Sequence, residues 1–143
     1  MFELHKQLRQ DGVSIGDFPL SHLLLINDMQ YPWCVLVPRR EDVTEIFQLD
    51  APDRAQLLEE SCELAEAMKD AFAADKLNIA ALGNMVSQLH VHHIVRYRSD
   101  PAWPAPVWGR HPAKPYPDAL LKERLERIAA VLSHDFKPAE TMR

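Results

Sequence analysis

The chain has 143 residues, of which 47% are hydrophobic and 26% are charged, and its formal net charge is −5. This length and composition are typical of one globular domain with a single hydrophobic core, which we expect to cover residues 1–143. An acidic chain is not expected to bind nucleic acid, and its apolar runs are too short to span a membrane. A nucleotide remains compatible with this charge, because a few donors suffice to bind one phosphate group.

The first residues and the cysteines indicate a cytoplasmic protein. Residues 1–6 are polar and no apolar segment follows them, so no signal peptide is expected. Cys34 lies in an apolar run and Cys62 in a helix-like stretch, and their spacing does not match a metal site. We expect both to be buried free thiols, which suits a reducing compartment.

The first half of the chain predicts a hairpin followed by a long helix. Residues 20–26 and 33–37 have the composition of strands separated by a short turn, and residues 44–47 resemble a third, shorter strand. Residues 51–74 have helical periodicity, and Asp50 is the candidate cap. The charged residues of this helix predict a solvent-exposed face: Glu59, Glu60, Glu63, Glu66, Lys69 and Asp70.

The second half predicts two strands, an irregular arm and a C-terminal helix. Strands are expected over residues 77–82 and 88–96. An arm over residues 99–117 holds six of the eleven prolines, and a helix follows within residues 118–133, with its apolar stripe over 120–132. We expect a loose tail after His134. Together these elements predict an α+β fold with a mainly antiparallel sheet of about five strands.

The strand over residues 88–96 carries the candidate chemistry. Because side chains alternate along a strand, Gln88, His90 and His92 are expected on one face, with Leu89, Val91 and His93 on the other. One interpretation is a metal site, which needs a third ligand from a carboxylate or from another histidine: His5, His22, His111 or His134. The other is a nucleophilic imidazole that attacks phosphorus while neighbouring groups bind the non-bridging oxygens.

Residues 83–96 match a known motif. Their sequence, Gly-Asn-Met-Val-Ser-Gln-Leu-His-Val-His-His-Ile-Val-Arg, resembles the Gly-Gln-x-Val-x-His-x-His-x-His signature of the histidine-triad (HIT) superfamily. Residues 26–40 resemble the strand pair that borders the nucleotide in that family, and the resemblance extends over residues 20–98. With Gln88, the motif resembles that of a bacterial branch of the family, in which it reads Gln-x-His-x-His.

The resemblance implies roles for five residues. It makes His90 the nucleophile that forms a nucleotidyl-histidine intermediate, and His92 the residue that holds and polarises the phosphate. It brings Asn84 to the phosphate oxygens and Asn27 to the ribose and phosphate. Gln88 replaces the first histidine, so hydrogen bonding there survives but proton handling does not. Apart from the resemblance, protonation of the leaving group needs an acid, for which His92 is the candidate histidine on this face, and Ser87 or a group of the substrate could assist.

The implied activity is cleavage at the α-phosphate of dinucleoside polyphosphates or nucleoside phosphoramidates, as in a diadenosine tetraphosphate hydrolase. The enzyme would be a homodimeric hydrolase or nucleotidyl transferase without a resident cofactor or metal, and any divalent cation would arrive with the substrate. Two alternatives remain open: a nucleotide-binding module with weak catalysis, suggested by Gln88 and Cys34, and a histidine-ligated metal protein.

Four further residues have predicted structural roles. We expect Trp103 and Trp108 to pack the arm against the sheet or a second subunit, although either ring could stack on a base. His93 is expected in the core or an interface, and Arg96 in solvent at the strand end.

Overall fold

The computed structural model describes residues 1–133 and 135–140. The elements follow in chain order: α1 (Lys6–Asp11), β1 (Gly12–Asp17), β2 (Ser21–Ile26), β3 (Trp33–Pro38), a 3-10 turn (Ile46–Gln48), α2 (Ala51–Phe72), β4 (Lys76–Ala80), β5 (Val91–Arg96), α3 (Asp118–Ala130) and β6 (Lys137–Pro138). The loose tail predicted after His134 is wrong over residues 135–140, because Lys137–Pro138 pairs with β1 as a short strand, and residues 141–143 lie outside the described residues. Over the described residues, no helix combines the length and apolar composition that crossing a bilayer requires.

The predicted α+β class and antiparallel sheet are confirmed. One sheet of the described residues has the order β4-β5-β3-β2-β1-β6, and every neighbouring pair is antiparallel. It has six strands rather than about five, because β1 and the two-residue β6 form in segments that carry no strong strand pattern. The predicted hairpin is β2 and β3.

The strand expected over residues 44–47 is wrong. The side-chain oxygen of Gln48 accepts hydrogen bonds from the main-chain N–H groups of Thr44 and Glu45, at 2.7 and 3.1 Å. These bonds satisfy the main chain locally, and the segment closes into the 3-10 turn Ile46–Gln48 instead of pairing with a strand.

Helix α2 covers one face of the sheet and forms the main core with it. Asp50 caps the helix as predicted, since its side chain accepts a hydrogen bond from the Asp53 N–H. The predicted solvent exposure of Glu60 is wrong. Its carboxylate is buried and accepts hydrogen bonds from the main-chain N–H groups of Leu20 and Ser21, at 2.8 and 3.0 Å.

The core side of β5 contains His93, which is fully buried as expected. Its Nδ1–H donates to the Val91 carbonyl at 3.1 Å, and its Nε2 accepts from the Ser61 hydroxyl at 2.7 Å. Burial lowers the pKa of His93 to about 4, so the ring is neutral at neutral pH. Of the two thiols, Cys34 is buried in the same core as predicted, but Cys62 is exposed on α2.

The arm over residues 99–117 has no helix or strand and folds back over the end of β5. Arg96 is buried there rather than solvated, because Asp100 accepts two hydrogen bonds from its guanidinium, at 2.8 and 3.1 Å. Burial by itself raises the pKa of Asp100, but the bonds from Arg96 and three main-chain N–H groups outweigh it and lower that pKa. The Arg96 guanidinium also lies over the Trp103 ring, so Trp103 packs the arm as expected.

The buried, neutral His93 makes stability depend on pH. His93 takes up a proton near pH 6.5 in the unfolded chain but only near pH 4 in the folded chain. The contribution of the neutral ring to the free energy of unfolding is therefore complete above pH 6.5 and falls as the pH drops towards 4. For one histidine the loss is on the order of 3 kcal/mol. We expect His93→Gln to have a flatter pH dependence in urea denaturation between pH 7 and 4.5. His111→Gln, at an exposed position, is the matched control, and equal slopes for all three proteins would contradict the prediction.

Candidate functional site

The face of the sheet opposite α2 carries His90, immediately before β5. The ring is 6% exposed, and its Nδ1–H donates to the main-chain carbonyl of Gln88 at 2.7 Å. This bond fixes the tautomer in which the proton is on Nδ1 and the lone pair is on Nε2. In this tautomer Nε2 is the nitrogen whose lone pair can act as a nucleophile.

His92 lies beside His90, with 4.9 Å between the ring centroids. Its Nδ1 accepts a hydrogen bond from the Trp33 indole N–H at 3.0 Å, and its Nε2–H donates to the Leu82 carbonyl at 3.2 Å. Burial lowers the pKa of His92 to about 4, the neighbouring His90 lowers it further, and the bond to Leu82 opposes them. His92 is therefore a neutral hydrogen-bond donor at neutral pH.

Two tryptophan rings frame His92. The Trp33 and Trp108 centroids lie 5.7 and 5.2 Å from the His92 ring and 6.0 Å from each other. Trp33 reaches this position because Val35 pairs with His92 across β3 and β5, which makes Trp33 a diagonal neighbour on the same face. The aromatic surface excludes water from one side of His92.

Two cavities meet at His90 and Asn84. A cleft of about 830 Å³ includes His92, Trp33 and Trp108 in its lining, and a second cavity of about 270 Å³ lies on the other side of His90. Of the described residues that line them, none is a lysine or an arginine. The carboxylate residues among the lining are Asp11, Asp28 and Glu45.

The loop over residues 81–90 closes tightly at Gly83. A Cβ atom on this residue would lie 2.7 Å from the Val86 carbonyl oxygen and 3.4 Å from Cε1 of His90. A larger residue would therefore displace the loop from the His90 ring.

Comparison with known proteins identifies the family. A family model described as the HIT domain matches residues 7–99. The chain belongs to the histidine-triad (HIT) family. HIT proteins bind nucleotides and are generally nucleotide hydrolases or transferases. No curated protein matches the chain.

Three solved bacterial HIT structures are similar over nearly their whole length. A histidine triad protein from Bradyrhizobium japonicum is 44% identical, with a TM-score of 0.91 over 92% of this chain and 98% of that one. A HIT protein from Sinorhizobium meliloti is 44% identical, with a TM-score of 0.90 over the same shares. A histidine triad protein from Marinobacter aquaeolei is 47% identical, with a TM-score of 0.87 over 93% of this chain and 99% of that one.

The structure brings together most of the residues that the HIT resemblance singled out. Asn84 lines both cavities, Ser87 lines the smaller one, and Asn27 lines the cleft while its side-chain oxygen accepts from the Tyr116 N–H. Gln88 differs from the expected alternation, because β5 begins only at Val91. Its carbonyl orients His90, while its side chain is bound to the N-terminal segment.

Sequence reasoning missed Trp33 and His5 as residues of this HIT site. Trp33 fixes the His92 tautomer, and finding it requires the register between β3 and β5. His5 lines the cleft from the N-terminal segment, and no local pattern connects it with residues 88–92. Within the described residues, no three His, Cys, Asp or Glu side chains form a group that could hold a metal ion, and His134 lies outside them.

The hydrogen bond from Trp33 predicts the behaviour of His92 in a phenylalanine variant. Trp33→Phe keeps an aromatic ring but removes the N–H donor, so Nδ1 of His92 becomes free to accept a proton. We expect the pKa of His92 to rise by up to about one unit, since one such bond contributes roughly 1 kcal/mol. Imidazole ¹⁵N shifts between pH 3 and 8 measure this change. Trp108→Phe, which alters only a ring contact with His92, is the control; equal titration curves would contradict the assignment.

Proposed function

We propose that this HIT protein is a nucleotide hydrolase or nucleotidyl transferase that acts at an α-phosphate through a nucleotidyl-His90 intermediate. The observation that carries the proposal is the hydrogen bond from Nδ1–H of His90 to the Gln88 carbonyl, in a ring that lines the cleft. That bond leaves the Nε2 lone pair available for attack.

The first step is an in-line displacement. The Nε2 lone pair forms a bond with the α-phosphorus and the bond to the leaving group breaks. In a phosphoramidate, the leaving nitrogen keeps the electron pair and takes up a proton from solvent water, relayed by the Ser87 hydroxyl in the smaller cavity, so that it departs as a neutral amine. The imidazole gains positive charge in the intermediate, and the Gln88 carbonyl accepts a hydrogen bond from the ring N–H that carries part of it. Water or another acceptor then attacks the phosphorus and loses a proton to solvent, and the P–N electron pair returns to Nε2, which restores the neutral ring.

His92 acts in this mechanism as a donor of a hydrogen bond rather than of a proton. Its pKa of about 4 keeps it neutral at neutral pH, and its one ring proton is on Nε2. When phosphate binds, this N–H turns from the Leu82 carbonyl to a non-bridging oxygen, where charge develops. Asn84 and Ser87 supply further neutral donors along the cavity walls.

The charges around the cleft favour nucleoside phosphoramidates over dinucleoside polyphosphates. A polyphosphate chain carries several negative charges, and the described lining residues offer it no lysine or arginine. Glu45 lies in the smaller cavity beside His90, where a carboxylate repels a phosphate leaving group but attracts an amine that becomes an ammonium ion. We infer that the leaving group is an amine. We further propose that the protein is a homodimer and is located in the cytoplasm.

Intact-protein mass spectrometry tests the intermediate and the leaving group together. We expect brief incubation with adenosine phosphoramidate to add one adenylyl group, and the adduct to be absent from His90→Ala. Diadenosine tetraphosphate should react at least tenfold more slowly, because its negative charge meets carboxylates rather than cations.

His22→Ala is the control for a histidine outside the cleft, and it should retain the adduct; His22 is bound to Ser14 and Asp17 instead. Turnover of either substrate by His90→Ala at the wild-type rate would contradict the nucleophile. Nucleotide binding without any adduct or turnover would favour the alternative of a nucleotide-binding module. Faster reaction with the tetraphosphate would contradict the amine leaving group.

A further inference from the structure

The side chain of Gln88 is bound at both ends to the N-terminal segment. Its oxygen accepts from the His5 main-chain N–H at 2.9 Å, and its NH₂ group donates to the Glu3 carbonyl at 2.9 Å. The side-chain amide thus pairs with one main-chain donor and one main-chain acceptor of a segment more than eighty positions earlier in the same chain. This contact joins the N-terminal segment to the residue two positions before His90.

The consequence is that His5 adds an imidazole from the N-terminal segment to a cleft that His90, His92 and His111 also line. His5 lines the cleft together with His90 and His92, and its side chain is partly buried. Its Nδ1 accepts a hydrogen bond from the Gln7 N–H at 3.0 Å, which requires the ring proton to be on Nε2. Nε2–H has no hydrogen-bond partner within the described part of the chain.

We propose that His5 is a substrate-binding residue whose Nε2–H donates a hydrogen bond to a phosphate oxygen, and that Gln88 positions it. The inference rests on the proposed function, since it assumes a nucleotide phosphate beside His90. In this arrangement the residue that replaces the first histidine of the triad brings in another imidazole from the N-terminal segment.

The hydrogen bonds of His5 define its chemical role. The bond from Gln7 occupies Nδ1 as an acceptor and leaves Nε2–H as the donor of the ring. A neutral imidazole with its proton on Nε2 is a poor acid but a competent donor to an anionic oxygen. Capping α1 requires only an acceptor at this position, so the cap does not account for an imidazole in the cleft.

The test separates the cap from the donor. His5→Asn retains a capping acceptor and removes the imidazole, and His5→Ser is a second replacement of the same kind. We expect both variants to bind AMP about tenfold more weakly while binding adenosine as the wild type does, because only AMP offers a phosphate oxygen. For adenosine phosphoramidate, kcat/KM should fall about 10- to 100-fold, with an unchanged urea midpoint.

The binding measurement keeps this inference distinct from the proposed function. If the wild type shows no turnover, the comparison of AMP with adenosine still tests the contact of His5 with phosphate. Equal AMP affinity in the wild type and both variants would overturn the contact, as would an equal loss of adenosine affinity.

A second variant tests the positioning role of Gln88. Gln88→Met is similar in size but cannot bind the main chain of Glu3 and His5. We expect it to weaken AMP binding to the same degree as His5→Asn, and the double variant to be no weaker than either single one. Additive losses in the double variant would show that Gln88 acts independently of His5 and would overturn this part of the proposal.

Discussion

The arrangement depends on two adjacent histidines being neutral on opposite faces of one strand. Burial lowers the pKa of both His92 and His93 to about 4, and hydrogen bonds fix the tautomer of each. His93 is bound to Ser61 on α2, whereas His92 is bound to Trp33 on the cleft side. The same strand thus attaches the helix that covers the core and presents a neutral donor to the cleft, so core packing and site geometry cannot vary independently.

The elements that the sequence predicted well are those whose patterns are local. Helices α2 and α3 have helical periodicity, and the hairpin consists of two apolar runs joined by a short turn and buried on both faces. By contrast, Gly12–Asp17 becomes a strand only by pairing with β2 on one side and β6 on the other. The prediction that the charged residues of α2 are exposed to solvent failed at Glu60 for the same reason. Glu60 is buried because main-chain donors forty positions upstream reach it, and the pattern of α2 contains no information about them.

The residues of the candidate site likewise fall into those that a local pattern predicts and those that only the tertiary structure brings in. His90 and His92 follow from the spacing of one short segment, and the structure brings their rings together. The contacts of Trp33, His5 and the Gln88 side chain require a strand register or a contact across more than fifty positions. A motif therefore indicates the candidate nucleophile, but the groups that fix tautomers and line the cleft come from tertiary structure that no single segment encodes.

The departures from the family signature fit one another. An amide side chain offers the same donor and acceptor pair as a peptide group. The oxygen and the NH₂ group of Gln88 can therefore both bind the main chain of the N-terminal segment. An imidazole ring does not reproduce this geometry. Trp33 supplies the N–H that fixes the tautomer of His92. With no lysine or arginine among the described lining residues, binding must come from neutral donors, and such a site suits a single phosphate group. Under the proposed function, these contacts make the glutamine part of a rearranged site rather than of a degraded triad.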